Sequence, residues 1–296
     1  MRSSPTRETV CFDAHGAPLL PMGAFPARDA GGVAIGRGAY ACVVHKELPL
    51  GSVAIKQIER RVDTVQQHCG ELLAEGLRHP ALVTVLSIVW TRHELLVIMQ
   101  FAGSCTFLDL LHGRLTGSRA LSTLAAVSAA VLFLHERLLV HQDIKPDNIL
   151  WHAGEQRARL GDFGCMRLKG TRTHVCGAVQ WRAPELAGGE AHVALPALDA
   201  WSLGMLLALA GEQTTAPKWS SLPDLLRSSA KALLQNEPSR RDVLSSTQSL
   251  RRAHSVWNDC GEEKSRPLNP LLSRAEILGP GSTVSPARWL PYAALL

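Results

Sequence analysis

The sequence has no C-x-x-C pair, no block of one charge sign, no internal repeat and no apolar run near the length of a bilayer span. Its seven cysteines, Cys11, Cys42, Cys69, Cys105, Cys165, Cys176 and Cys260, are odd in number and scattered. That spacing argues against a zinc ribbon and against a complete disulfide framework. Reduced thiols in the cytoplasm, or the nucleus, fit it better. Met1-Arg2-Ser3-Ser4-Pro5 leads into no apolar h-region, so no secretory leader is expected. The longest apolar stretch, Trp201 to Ala210, falls short of the roughly 20 residues a membrane helix needs. No membrane partner is expected. The 31 basic and 26 acidic residues give +5 without forming an arm or stripe, so no nucleic-acid partner is expected either. A soluble intracellular monomer is the resulting expectation.

What is present is enough apolar material, 46 % of 296 residues, for substantial cores. Residues 1–30, rich in Pro, Gly and Ala, read as a flexible lead-in. From Val33 to Phe101 short apolar runs alternate with Gly, Pro and charge: Val33-Ala34-Ile35, Cys42-Val43-Val44, Ser52 to Ile55, Leu82 to Val85, and Leu95 to Ile98. These are expected strands. Val65 to Leu77 is an expected amphipathic helix closed by His79-Pro80. After Gly103, Leu121, Leu124, Ala125, Val127, Ser128, Val131, Leu132 and Leu134 recur at helical spacing, the pattern of a largely buried helix. A second buried helix is expected over Asp199 to Ala210, a shorter amphipathic one around Leu222 to Leu234, and an irregular Pro-containing tail over 253–296. The fold class is therefore α+β, with a small antiparallel sheet lobe over 31–102 and a larger helical lobe over 103–252.

Three motifs carry chemistry. Ile35-Gly36-Arg37-Gly38-Ala39-Tyr40-Ala41-Cys42-Val43 is a glycine-rich turn between strands, where missing Cβ atoms let backbone N–H groups reach phosphate oxygens. By itself such a turn is more often an ordinary hairpin. Val53-Ala54-Ile55-Lys56 ends an apolar strand on a lysine, which could snorkel to solvent. Following a glycine loop, it could instead aim an ammonium at phosphates, held by Glu71 or, as a fallback, Glu75. The third motif is the most specific: His141-Gln142-Asp143-Ile144-Lys145-Pro146-Asp147-Asn148, then Asp162-Phe163-Gly164. Its H-x-D-x-x-x-x-N and D-F-G spacing resembles the catalytic loop and magnesium motif of protein kinases.

Arg182-Ala183-Pro184-Glu185, Asp199 to Gly204, and Arg241 as a partner for Glu185 follow in order. From about Val33 to Leu244 the chain resembles the eukaryotic protein kinase superfamily. Lys145 points to the serine/threonine branch. The resemblance implies ATP and Mg²⁺ as cofactors and a protein substrate. It makes Asp143 the base, Lys145 the stabiliser of the γ-phosphate, and Asn148 and Asp162 the magnesium ligands. The ATP site it implies takes in Ile35 to Val43, Ala54, Lys56, Glu71 and the connection Met99-Gln100-Phe101-Ala102.

Within that branch, Val53 to Ile58, the interval from Glu71 to His79, Leu132-Phe133-Leu134-His135, Asp162 to Cys165 and Arg182 to Leu186 are similar to the Mos family. That family acts on MAP kinase kinase in oocyte meiosis, and a divergent or viral relative would share the motifs. Four departures stand out. Gln142 replaces an arginine that usually pairs with a phosphorylated activation loop. Ala178 replaces a threonine that usually touches the catalytic loop, Ala41 replaces a third glycine, and the interval from Ala210 to Arg241 is short. Those departures keep two other readings open: an ATP-binding scaffold without efficient transfer, and a small-molecule phosphotransferase. The Ala183-Pro184-Glu185 segment weighs against the latter.

Overall fold

The structure, a computed structural model, describes residues 11–12, 18–19, 32–37, 41–48, 51–59, 69–90, 94–112, 117–188, 191–213 and 222–259. Gly38, Ala39 and Tyr40 of the glycine turn, residues 65–68, and most of the expected lead-in and tail lie outside them. The chain divides into two units.

The first unit is a five-stranded sheet of β1 (Val33–Arg37), β2 (Ala41–Leu48), β3 (Gly51–Glu59), β4 (Val85–Trp90) and β5 (Glu94–Gln100). Its order is β1-β2-β3-β5-β4, antiparallel throughout. Strand alternation sorts the side chains. Val53, Ile55, Leu96 and Ile98 form an apolar cluster on one face, with Leu48, Leu86 and Val89 against it. Ala54, Lys56 and Ile58 point the other way. The run Leu82 to Val85, expected as a strand, splits: β4 begins at Val85. Leu82 makes only an isolated parallel bridge to Leu160, and belongs to the second unit.

The second unit begins with α1 (Cys69–Ala74) and continues with α2 (Phe107–His112), α3 (Gly117–Glu136), α4 (Pro196–Gln213), α5 (Leu222–Leu233) and α6 (Val243–Asp259). The described part of α1 is shorter than expected. The helix stops at Ala74, and Gly76 follows with φ +84°, a left-handed conformation that ends a helix. Glu75 therefore lies past the helix rather than one turn along it. Gly70 of α1 is required by proximity: a Cβ there would meet the Phe163 carbonyl oxygen at 2.0 Å. Helix and D-F-G segment thus approach backbone to backbone.

Helix α3 buries Leu121, Leu124, Ala125, Val127, Ser128, Val131 and Leu134 as expected. Among the described residues it is the one helix long and apolar enough to cross a membrane, a property its interleaved Ala and Ser hide from a search for uninterrupted runs. It packs on α4 and α6, as a core helix does. Helix α4 begins earlier than expected, with Pro196 at its first position, where a missing N–H costs nothing. Helix α6 overruns the tail boundary expected at 252. Asp242 caps it, accepting from Ser245 N at 3.0 Å. Its inward positions Val243, Ser246, Thr247 and Leu250 follow helical spacing.

Short strands place the catalytic segment. β6 (Cys105–Thr106), β8 (Ile149–His152) and β9 (Arg157–Leu160) form a small sheet in the order β9-β8-β6, and β7 (Leu139–Val140) pairs with β10 (Arg167–Leu168). β11 (Arg172–Thr173) pairs with β12 (His192–Val193). The Glu185–Arg241 brace forms bidentately, at 2.7 and 2.9 Å. Arg241 also donates to the Gln235 and Ala197 carbonyls.

Asp199, in the first turn of α4, has no exposed surface. Its Oδ2 meets His141 N at 2.8 Å and His135 Nε2 at 2.9 Å, and its Oδ1 meets Gln142 N at 2.7 Å. Burial would raise its pKa, but the His135 bond, the nearby His135 and His141 rings and the Gln142 N–H outweigh that and hold it below the ordinary value. A carboxyl depressed in the folded state stabilises the fold above its ordinary pKa. That contribution is lost as pH falls through the lower native value. Asp199→Asn turns an NH₂ toward backbone donors, and is expected to lower unfolding free energy by about 2–4 kcal/mol at pH 7 in urea titrations. The gap between the two proteins should narrow below about pH 4. Equal stability at neutral pH would remove Asp199 as an anchor.

Candidate active site

The catalytic loop follows β7 and starts from the two backbone amides fixed on Asp199. Gln142 has φ +66°, and Asp162 has φ +59°. Such left-handed conformations cost non-glycine residues about 1–3 kcal/mol each and persist only where surrounding bonds over-determine them. At Gln142 those bonds are plain: N–H to Asp199, and side-chain Nε2 to the Cys165 carbonyl at 2.9 Å. His141 accepts the Asp143 N–H on Nδ1 at 3.3 Å and points Nε2 at the Gly161 carbonyl, 3.2 Å away. One ring thus links the loop to the residue before Asp162. His141 also meets Phe163 edge to face at 5.8 Å.

Asp143 is buried, and protein donors hold both of its carboxylate oxygens. Oδ2 accepts from Lys145 Nζ and from Asn148 Nδ2, each at 2.9 Å. Oδ1 accepts from Ala178 N at 3.1 Å. Position 178 lacks the usual hydroxyl, yet its backbone makes the contact. Gly177 (φ +78°) permits this, since a Cβ there would stand 2.7 Å from the Gln142 carbonyl and 3.0 Å from Asp143 Oδ1. Arg182 secures the same turn, with Nε bonded to the carbonyls of Cys176 and Gly177. Burial alone would depress Lys145, but the charge and hydrogen bond of Asp143, with Asp162 and Asp147, reverse this and raise its pKa. It is an ammonium throughout the neutral range.

Asn148 and Asp162 are brought together by the β8–β9 ladder, in which Ile149 faces Leu160, and by Gly161 N donating to the Asn148 carbonyl at 2.8 Å. Both Asn148 Nδ2 contacts are to Asp143, at its carbonyl and at Oδ2, which leaves the amide oxygen as the free end. Asp162 is exposed and carries an oxygen pair. One amide oxygen and one carboxylate are hard donors of the kind Mg²⁺ takes while keeping waters and phosphate oxygens in its other positions. The residues present fit the metal.

In the sheet unit, register places the expected nucleotide residues on specific faces. Gly36 faces Val43, Val43 faces Lys56, Lys56 faces Val97, and Ala54 faces Met99. Directly opposed residues share a face, so Gly36, Val43, Ala54, Lys56 and Met99 lie together. Cys42 faces Arg37 and Gln57 and so lies on the opposite side, as does Gln100, which faces Val53. Ile35 sits at a bulge and is exposed. Ala41 opens β2 opposite Ile58, on the Lys56 face. Phe101 stacks on His45 with centroids 4.0 Å apart. Lys56 is 7 % exposed. Glu71, in the first turn of α1, and Ala102 are buried in the helical unit.

Asp199 heads one of the ordered sequence features, but its role as a buried anion in need of donors is not displayed there. Two further contributors carry no motif. Gly177 is one glycine among 24. His192 donates Nε2 to Gln142 Oε1 at 2.7 Å from 50 residues away, with no local signal at all.

Residues 31–246 match the protein kinase domain model. The chain is 30 % identical over 185 residues to a Dictyostelium discoideum protein named "Probable serine/threonine-protein kinase MARK-A", covering 58 % of this chain and 17 % of that one. It is 27 % identical over 155 residues to "Sucrose non-fermenting protein kinase 1" of Fusarium virguliforme, covering 51 % and 21 %. The chain spans about a fifth of the length of these relatives. With the family match running over most of its length, and an antiparallel sheet lobe followed by a helical lobe that carries the catalytic motifs in order, the chain belongs to the protein kinase domain family.

Proposed function

We propose that the chain is a serine/threonine protein kinase that transfers the γ-phosphoryl group of MgATP to a protein hydroxyl. The observation that carries this is the Asp143 carboxylate, fixed on both oxygens by Lys145, Asn148 and the Ala178 N–H. Phosphoryl transfer asks little covalent work of a protein, so alignment and charge neutralisation supply the rate. Asp143 orients the substrate hydroxyl and accepts its proton as the new O–P bond forms and the bond to the ADP oxygen breaks. Lys145, an ammonium beside it, follows the charge on the moving phosphoryl group. Lys56 serves the α- and β-phosphates. Asn148 and Asp162 would hold Mg²⁺, which when bound neutralises charge on the phosphates.

The competing reading, a scaffold that binds ATP without efficient transfer, draws on Gln142, Ala178 and Ala41. The Ala178 N–H that reaches Asp143 supports activity over that reading. Within the family the role is Mos-like, acting on MAP kinase kinase, on the strength of the similar stretches from Val53 to Leu186. A cytoplasmic or nuclear site of action fits the free thiols of Cys42, Cys105, Cys165 and Cys176.

Purified protein given labelled MgATP and a general protein substrate is expected to transfer label. Asp143→Asn should lower kcat by about 10²–10⁴-fold, and Lys56→Met by about 10²-fold or more. Thermal stabilisation by nucleotide without any transfer would favour the scaffold. For the finer role, mass spectrometry of MAP kinase kinase incubated with the wild-type chain should find new phosphoserine or phosphothreonine absent from the Asp143→Asn control. Labelling of general substrate but not of MAP kinase kinase would set the Mos-like role aside.

A further inference from the structure

Gln142 joins three parts of the helical unit at once. Its backbone N–H is fixed on Asp199, its Nε2 donates to the Cys165 carbonyl at the start of the segment that follows D-F-G, and its Oε1 lies 2.7 Å from His192 Nε2. The donor directions follow from chemistry. A carbonyl can only accept, so the amide nitrogen must face Cys165 and the amide oxygen must face His192. His192 therefore donates through Nε2–H, leaving Nδ1 as a buried lone pair without a partner. Protonating that nitrogen would bury an N–H with no acceptor. Burial, with the charge of Arg182 added, accordingly holds the imidazole below its ordinary pKa.

His192 is well placed to act on the segment. It sits in β12, where it faces Thr173 of β11, and the ladder extends through Gly170 N to the Ala194 carbonyl and Ala194 N to the Thr171 carbonyl, each at 2.9 Å. The activation segment is thus held at Cys165 by Gln142 directly, and again at 170–173 by the strand that carries the partner of Gln142, His192. An arginine in its place would bring five donors and no acceptor, so it could not receive the His192 Nε2–H, and it would add a charge where the amide carries none.

Building on the kinase reading above, we propose that Gln142 and His192 are positioning residues that brace the activation segment on the catalytic loop without a phosphate. The segment is then ordered by a neutral hydrogen-bond relay, and transfer needs no prior phosphorylation of Thr171, Thr173 or any other residue of the segment.

The test compares the wild-type chain with His192→Ala, His192→Gln and Gln142→Ala, after exhaustive phosphatase treatment. Glutamine can present an N–H where His192 Nε2 does, so His192→Gln controls for loss of the imidazole itself. His192→Ala and Gln142→Ala are each expected to lower kcat on the order of tenfold, with little change in KM for ATP or in Tm. They should also speed amide exchange across residues 165–178. His192→Gln should recover most of the rate and protection. The double variant should be no worse than either single, because both break one relay. Phosphatase should leave wild-type activity unchanged. Unaltered exchange and rate in both alanine variants, equal loss in His192→Gln, or loss of wild-type activity on phosphatase treatment would each overturn the brace. The exchange measurement needs no turnover, so it judges the brace even if the chain fails to transfer phosphate, which would instead overturn the kinase reading.

Discussion

Asp199 has no contact with water, and a carboxylate in that position must be met by donors or it would take up a proton. Two of the donors that meet it are consecutive backbone amides, those of His141 and Gln142. This constraint fixes where the catalytic loop starts and forces Gln142 into a left-handed conformation that the chain would not adopt unaided. The rest follows in steps. The His141 ring ties Asp143 N to the Gly161 carbonyl, so Asp143 and the segment before Asp162 are linked through one side chain. Asn148 bonds both ends of Asp143, and the loop closes on itself. Helix α4 is thus the floor of the site, although none of its residues touches the chemistry.

Most of the fold was legible because its signals are local. Short apolar runs bounded by Gly, Pro and charge marked the sheet strands and helical spacing marked α3, whose inward positions are nearly all apolar. Where the reading failed, the signal was masked or absent. Two of the four inward positions of α6 are Ser246 and Thr247, whose hydroxyls bond back to the Asp242 and Val243 carbonyls and so hide in the interior. That masks the helical spacing from Val243 onward. Leu82 to Val85 is apolar enough for a strand, but only Val85 joins the large sheet. Leu82 and Val83 serve Leu160 instead, a pairing that no periodicity could reveal. The end of α1 depends on the backbone conformation at Gly76, which the sequence permits but does not require.

The candidate site residues stand out for a different reason: the chemistry proposed for them demands rare residue types at fixed short offsets, which sequence displays directly. Their supports do not. The departures at 142 and 178 looked like losses because a sequence displays side chains, while the structure can substitute a backbone group. Any residue but proline brings an N–H, and Ala178 uses its own on Asp143 once Gly177 lets the chain come close. At 142 the replacement is a side chain, but its partner His192 lies 50 residues away. Only the folding of β12 onto β11 brings it into reach.

The charges around the catalytic loop share one property. Asp199 is held below its ordinary pKa by its donors, Lys145 is held above by the acids beside it, and His192 is held below by burial and Arg182. Each shift moves a titration away from neutrality, so Asp199, Lys145 and His192 keep their protonation states across the neutral range. A site that works by pre-set electrostatics needs this separation. Dipoles and charges that reorganised with every proton transfer would return, as reorganisation energy, what their alignment contributes to the transition state. A glutamine at 142 fits the same logic, because its amide is neutral and is satisfied by a carbonyl and an imidazole already present in the fold, whereas a guanidinium would bring a charge and no acceptor.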